Sequence, residues 1–569
     1  MIIIDKKFLI NRSDMDKINR WIEKLREKWW ASGLLNLFCL GVFLFIMRPT
    51  FETNDDLTFV EFATGAMGIA DAHLVYQNYL LGKVYLLLYT LCKTIPWYGL
   101  LQYIFLWLAF SILTYVILQR VNGVVGLTLS AVVLCFFSYE AYIQMQYTKT
   151  AGILSIAGIV LVFYAITKKK ISRISLCLGI GMACIGSMYR AEQFLPCAVL
   201  LSGIGVYELI YAGRERSIKR ILILVMALIL ILLMVMGLKA YDKSKYMKDP
   251  VWREYTEYNE LRTELLDYEF PKYKYHEEEY QDLGITEAAY QLWNHWNFGD
   301  PELFTIQNMR KLLALNEKKT FDKEVISDFF DKVPNRIAKV YAFYALLIVL
   351  VFWLIQEKSG KKQVMIVCYE LMLLTAMYIY LFWKGRYLQN RVDVCLSLAV
   401  IMCLIWLMQG QRDWLTQKSG ILIIGITLIF MQNLWIDHSW KNTQKVVDQE
   451  KNILQELSAD TEHLYVVKNK TLSYSNGYGP LDIIPEGMTS NFTFFGGWET
   501  NTVPWNYRLE RYHAINLYKD SINNDRVRII DDEIDVTMNY IHTYYDKDAQ
   551  AEQIDEYQGY TVYRIISEK

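Results

Sequence analysis

The sequence predicts an α-helical polytopic membrane protein with about eleven transmembrane helices and a C-terminal α/β domain outside the lipid. Three observations predict it. Of 569 residues, 53% are hydrophobic and 15% aromatic, above ordinary soluble usage. The apolar residues gather into runs of spanning length, and Lys and Arg recur in every second connecting loop. Two long hydrophilic stretches, Lys239 to Arg336 and His438 to Lys569, interrupt and end the pattern, so they fall outside the bilayer.

A spanning helix needs roughly 17 to 25 mostly apolar residues. The runs of that kind are Ala31 to Met47, Gly99 to Leu118, Val121 to Phe137, Thr150 to Thr167, Ile174 to Met188, Phe194 to Tyr211, Ile221 to Leu238, Ile337 to Ile355, Val364 to Phe382, Val392 to Met408 and Ile421 to Trp435. They define a membrane domain over residues 31–435, preceded by a charged segment, residues 1–30, read as cytoplasmic. That segment lacks a small-residue cleavage site after an early apolar run, which argues against a cleaved signal peptide.

Short basic loops stay in the cytoplasm and orient the set. They are Lys168-Lys169-Lys170 with Arg173, Arg214 and Arg216 with Lys219-Arg220, Lys358 with Lys361-Lys362, and Arg412 with Lys418. The alternate loops then face outward: Glu140 to Lys149, Tyr189 to Gln193, Lys239 to Arg336, and Lys384 to Arg391. Tyr79 to Pro96 is also apolar, but counting it as a span would put Lys168 to Arg173 outside. It is therefore read, with Leu57 to Ala70, as a pair of interfacial helices in the first outer loop, residues 48–98. The rival reading, with this segment spanning and the N-terminus outside, is opposed by the basic residues before Ala31.

The insert over residues 239–336 divides into short helices at Pro271, Gly284 and Phe298-Gly299-Asp300-Pro301. Its Trp and Tyr residues suit either anchoring at headgroup level or stacking on sugar rings. Residues 436–569 read as an amphipathic helix, Lys441 to Leu457, followed by β-like runs at His463 to Val467, Val527 to Ile530 and Tyr560 to Ile566. Turn signals at Asn476 to Pro480 and at Gly496-Gly497 separate them, and a small extracytoplasmic α/β domain is the simplest account.

Fifty-nine Lys and Arg against 60 Asp and Glu leave no basic surplus for nucleic acid. All nine cysteines lie in or beside apolar runs, with neither a disulfide framework nor zinc spacing, and read as small membrane-core side chains.

Chemistry concentrates in the outward loops. Asp55 and Asp56 follow the first span directly; adjacent carboxylates need compensation by a cation, a hydrogen-bonding substrate or a raised pKa, although Asp is also a favoured helix cap. Lys384, Arg386 and Arg391 form a basic cluster on the unexpected side, fit either for an anionic ligand or for snorkelling to lipid phosphate. Glu140, Gln144, Gln146 and Lys149 face Arg190, Glu192 and Gln193 on the next outer loop, as substrate contacts or as ion pairs such as Lys149 with Glu192 or Arg190 with Glu140. Lys83 and His73 lie on the same side.

An acidic pair after the first span, in Asn54-Asp55-Asp56, a first outer loop with two interfacial helices, many spans and a C-terminal outer domain resemble the GT-C superfamily of membrane glycosyltransferases. The likeness covers roughly Ala31 to Trp435. It implies a polyprenyl-phosphate sugar as donor; the lack of secretory-eukaryotic signals and the cysteine pattern point to a bacterial plasma membrane and to a glycan or lipid of the cell envelope as acceptor. Carried over by position, Asp55 is the catalytic base and Asp56 its partner; no other residue transfers by motif. The chemistry implied is inverting transfer, with Arg386 or Arg391 clamping the departing phosphate and Lys384, Arg190, Glu192, Lys83, Gln144 and Lys149 as further substrate contacts. No cofactor is required, and a divalent metal stays open. The competing class is a transporter or flippase, or a non-enzymatic assembly protein, for lipid-linked envelope polysaccharide. The apparent scarcity of charges inside the spans and of internal repeats speaks against a transport path.

Overall fold

The computed structural model describes residues 24–121, 123–168, 170–212, 218–316, 320–355, 360–386, 389–408, 425, 440–469, 471, 478–557 and 559–568. The first part of the N-terminal segment, the Arg412 to Lys418 loop and the expected span Ile421 to Trp435 lie outside the described residues.

The chain is mostly helical. The apolar helices are α1 (Trp29–Ile46), then α2 (Asn54–Thr64), α3 (Tyr79–Leu91), α4 (Trp97–Arg120), α5 (Gly123–Ser138), α6 (Tyr147–Thr167), α7 (Arg173–Tyr189), α8 (Ala191–Leu200), α9 (Ser202–Ala212) and α10 (Ile218–Lys248). The end of the polar insert forms α15 (Lys323–Ile337), and after it come α16 (Tyr341–Leu354), α17 (Lys361–Trp383) and α18 (Asn390–Trp406). Among the described residues seven helices are long and apolar enough to cross a membrane, or eight if the bent pair α15 and α16 counts as one. Length and one bend account for the difference from the expected set: α7 and α18 have 17 residues each and α15 meets α16 at 91°, whereas α8 and α9 together, over Ala191–Ile210, count as one of the seven. Helix α3, at 13 residues, is about 20 Å long and too short to cross a core about 30 Å thick.

Helix α6 is the centre of the bundle, buried from Tyr147 to Ile166. Helix α7 crosses it at a glycine contact: a Cβ on Gly158 would stand 2.5 Å from the Gly179 carbonyl oxygen, so only glycine permits the approach. Helix α2 was expected at a lipid interface. Instead Asp56 to Ala63 are all buried in protein, and Gly65, at φ 77°, turns the chain out of the helix.

The polar parts form one body rather than two. The insert contributes α11 (Pro250–Arg262), α12 (Glu277–Asp282), α13 (Glu287–Asn294) and α14 (Ile306–Ala314); the C-terminal part contributes α19 (Trp440–Ala459), α20 (Val503–Glu510) and α21 (Ile534–Tyr544). Strands β3 (Leu464–Val467), β4 (Phe492–Phe494), β5 (Val527–Ile530), β6 (Gln550–Tyr557) and β7 (Tyr560–Ile566) make a sheet in the order β4-β3-β5-β7-β6. Strand β3 runs parallel to both β4 and β5, while β7 is antiparallel to β5 and β6. Trp293, Phe304 and Leu312 of the insert share one hydrophobic core with Leu464, Val466, Trp505 and Ile529. Asp300 seals the joint, accepting from Tyr540 Oη at 2.7 Å, from Asn516 Nδ2 at 3.0 Å and from Tyr545 Oη.

Candidate functional site

The sequence just before α2 is anchored by a two-residue parallel ladder, with β1 (Thr50–Phe51) against β2 (Gln144–Met145). The Glu52 N–H continues it to the Met145 carbonyl at 3.0 Å. This ladder fixes the start of α2 against the start of α6. Lys149, one turn into α6, lies between Glu52 Oε2 at 2.7 Å and Glu140 Oε2 at 2.5 Å, and donates to the Gln144 carbonyl at 3.0 Å. Asn390 Nδ2 donates to the same Glu140 oxygen at 2.8 Å. Lys149 is therefore a buried strut, with 1% of its side chain exposed. The ion pairs differ from those expected: Glu192 pairs with Lys239 at 3.0 Å, and Arg190 pairs with no carboxylate in that loop but donates to Tyr147 Oη and Thr148 Oγ1, each at 2.8 Å.

The adjacent carboxyls occupy different surroundings. Asp56 is fully buried, and its Oδ1 accepts from Tyr98 Oη at 2.7 Å and from the Tyr147 N–H at 3.1 Å. These bonds staple α2 to α4 and α6. Burial outweighs them and pushes the Asp56 carboxyl up to about 8. Asp55 is half-buried, and the charges that act on it most are those of Arg391, Arg190 and Asp267. Burial raises its carboxyl above the usual range, and the two guanidinium groups oppose that rise.

Beside this pair lies a cavity of about 1550 Å³. Arg190 and Tyr76, which both couple electrostatically to Asp55, stand in its wall; Asp55 and Arg391 are not among the residues that line it. Tyr246, Tyr255 and Tyr268 contribute aromatic lining, and Val235, Leu238 and Leu381 contribute apolar lining. Lys384 and Arg386 line it as well, the Arg386 guanidinium 4.6 Å from the Tyr268 ring centre. Glu192 lines it, paired with Lys239. The wall carries acidic residues too, among them Asp242, Glu260 and Glu264, so it is not a purely anion-attracting surface. Gln144 and Lys149 belong to the ladder and the strut, and Lys83 is exposed elsewhere, 5.5 Å from the Tyr79 ring centre.

A search of known family patterns, curated proteins and solved structures gave no match. The chemistry therefore has to be argued from the residues. Among the described residues no three His, Cys, Asp or Glu side chains converge; Asp55 couples to two arginines, and Asp56 accepts from Tyr98 and Tyr147. Sequence reasoning missed two kinds of residue. Glu370 of α17 and Asp393 of α18 are buried carboxyls whose oxygens have no well-formed hydrogen bond among the described residues, and Glu208 of α9 accepts from Trp406 Nε1 at 2.9 Å. Single acids inside apolar runs were the available signal. The other is Trp498, which packs on Phe59 and Phe62 of α2 at ring-centre distances of 5.4 and 5.7 Å; only its place after Gly496-Gly497 hinted at an exceptional loop.

Proposed function

We propose that this chain is a multi-pass membrane glycosyltransferase of the GT-C type, which moves a sugar from a polyprenyl-phosphate donor to an acceptor on the extracytoplasmic side. The carrying observation is the half-buried Asp55 carboxyl coupled to Arg391 and Arg190, with Arg190 and Tyr76 in the wall of a large cavity with aromatic lining. Asp55 takes the proton of the acceptor hydroxyl as its oxygen attacks the anomeric carbon. The bond from that carbon to the phosphate oxygen breaks, and the phosphate leaves with the electron pair, inverting the sugar centre. A carboxyl raised towards the working pH is a stronger base than an exposed one, and the arginines, with Arg386 and Lys384, stabilise the leaving phosphate. Asp56 holds the helix that carries Asp55. The apolar lining of the cavity, Val235, Leu238 and Leu381, suits a polyprenyl chain, and its tyrosines suit a sugar ring.

Topology adds support. Helix α6 is about 30 Å long, the length of a bilayer core, and joins Tyr147 at the site to the basic Lys168 loop. The positive charges then lie on the cytoplasmic side, with the site and the polar domain across the membrane. The test is sugar transfer by the purified protein from defined polyprenyl-phosphate sugars. Asp55→Asn should abolish transfer with insertion and fold intact, and near-normal turnover in that variant would refute the role of Asp55.

A second reading is favoured by one observation. Glu208, Glu370 and Asp393 place buried carboxyls on helices α9, α17 and α18, as a transporter or flippase would need. On that reading, replacing Glu370 and Asp393 with Gln and Asn blocks movement of the lipid-linked sugar across vesicles while Asp55→Asn leaves it unchanged.

A further inference from the structure

Asp55, Phe59 and Phe62 fall on one face of α2, spaced four and three residues apart. The ring of Trp498 lies along that face. It packs against Phe59 and Phe62, and against Tyr76 with ring centres 5.3 Å apart, so its faces are occupied by protein. With only 4% of the residue exposed, it cannot serve as a platform for a substrate ring. What it has left is its N–H edge. That nitrogen is buried and has no well-formed hydrogen bond among the described residues, and the carboxyl it couples to is that of Asp55, one turn before Phe59 on the same face.

The loop that delivers it is built for the purpose. Tyr255 of the insert donates its hydroxyl to the Trp498 carbonyl at 2.7 Å. Asn469, next to β3, donates to the Gly496 carbonyl at 2.9 Å and to Trp296 O at 2.7 Å. The same C-terminal region hydrogen-bonds to the end of α2, through Gly487 N–H to Gly65 O at 3.0 Å and Thr489 N–H to Ala66 O at 2.9 Å. The C-terminal half of α2 is thus gripped by residues that lie more than four hundred positions later in the chain.

We infer that Trp498 is a positioning residue for Asp55, its indole N–H holding the carboxylate in the orientation that meets the acceptor, so that the C-terminal domain completes the active centre. This rests on the reading of Asp55 as the base. The other groups facing Asp55 are Arg391 from α18, Arg190 ahead of α8, Asp267 from the turn after α11, Asp56 on its own helix, and Tyr76, Tyr147 and Glu499. A donor to the charged form favours ionisation against burial. Losing it should make Asp55 hold its proton to higher pH.

The experiment uses the full chain in lipid nanodiscs and labels protonated carboxyls with a water-soluble carbodiimide and a small amine across pH. Fragmentation mass spectrometry resolves Asp55 from Asp56. In Trp498→Phe the Asp55 midpoint should rise by about one pH unit, the worth of one hydrogen bond to a carboxylate. Asp56, held by Tyr98, should not move. An unchanged Asp55 midpoint in a folded Trp498→Phe protein overturns the inference. Should that variant fail to fold, Tyr255→Phe loosens the loop alone; a smaller shift in the same direction upholds the inference and none overturns it. Labelling does not depend on turnover. A shifted midpoint in a protein that transfers no sugar would keep the Trp498 bond and remove the base reading, whereas in an active protein Trp498→Phe should lower kcat about tenfold with acceptor KM unchanged.

Discussion

Replacing Lys149 with methionine tests whether the polar network before α2 is a strut or a substrate contact. Lys149 stands 2.7 Å from Glu52 and 2.5 Å from Glu140, with both it and Glu140 almost wholly out of solvent. Methionine keeps the length and apolar stem but removes the charge, leaving two carboxylates facing each other. Breaking a buried pair in this way costs about 3–5 kcal/mol. The upper end applies here, because one ammonium serves two acids, although the Asn390 bond to Glu140 at 2.8 Å offsets part of the loss. Adding Glu140→Gln should restore about half the deficit, since the remaining Glu52 is 18% exposed and can be hydrated. The assay is thermal unfolding in detergent, followed by the fraction that stays monodisperse, with wild type, both single variants and the double variant side by side. A Lys149→Met protein of wild-type thermal stability would refute the strut and return Lys149 to the substrate contacts.

Three further outcomes are expected. Because the Asp56 carboxyl is raised to about 8, the folded protein keeps a proton that the unfolded chain loses, so Asp56 makes stability fall as pH rises from about 4 through 8. Asp56→Asn, which can still accept from Tyr98, should flatten that part of the curve; identical pH slopes of melting temperature in both proteins would contradict it. Asp300→Ala strips the acceptor shared by Tyr540, Tyr545 and Asn516 and should cost about 2–4 kcal/mol, seen as faster limited proteolysis of the insert and the C-terminal part together. Arg386→Ala should raise the donor KM several-fold with little effect on the acceptor KM, as expected of a side chain that lines the cavity beyond the Asp55 pair.

Much of the helical half could be read from the chain because a long apolar run admits few other solutions. The ends of α1, α4, α6 and α17 fall within a few residues of the runs that announce them. The cap signal at Asp55 and Asp56 marked roughly where α2 begins, but the N-cap itself is Thr53 and Asp56 is buried instead of solvated. What the sequence could not carry was partnership. The apolar face of α2 looks the same whether lipid or protein covers it, so its burial beneath Trp498 was invisible. Lys149 offered several carboxylates within plausible reach, and the ladder between β1 and β2, two residues long, has no pattern of its own. The insert and the C-terminal part each read as a separate unit because hydrophobic periodicity reports that a face is buried, not what buries it.

The single core shared by the insert and the sheet also constrains the order in which the protein can mature. Trp293, Phe304 and Leu312 leave the ribosome before Leu464 and Val466, with the helices α16 to α18 made in between. That gap is roughly 150 residues, or roughly 10–30 s of synthesis. Throughout it the first half of the core is chain without its counterpart, prone to self-association. A nascent protein of this design would lean on a chaperone, or on the lipid headgroups, to shelter those aromatic side chains until the last strands arrive.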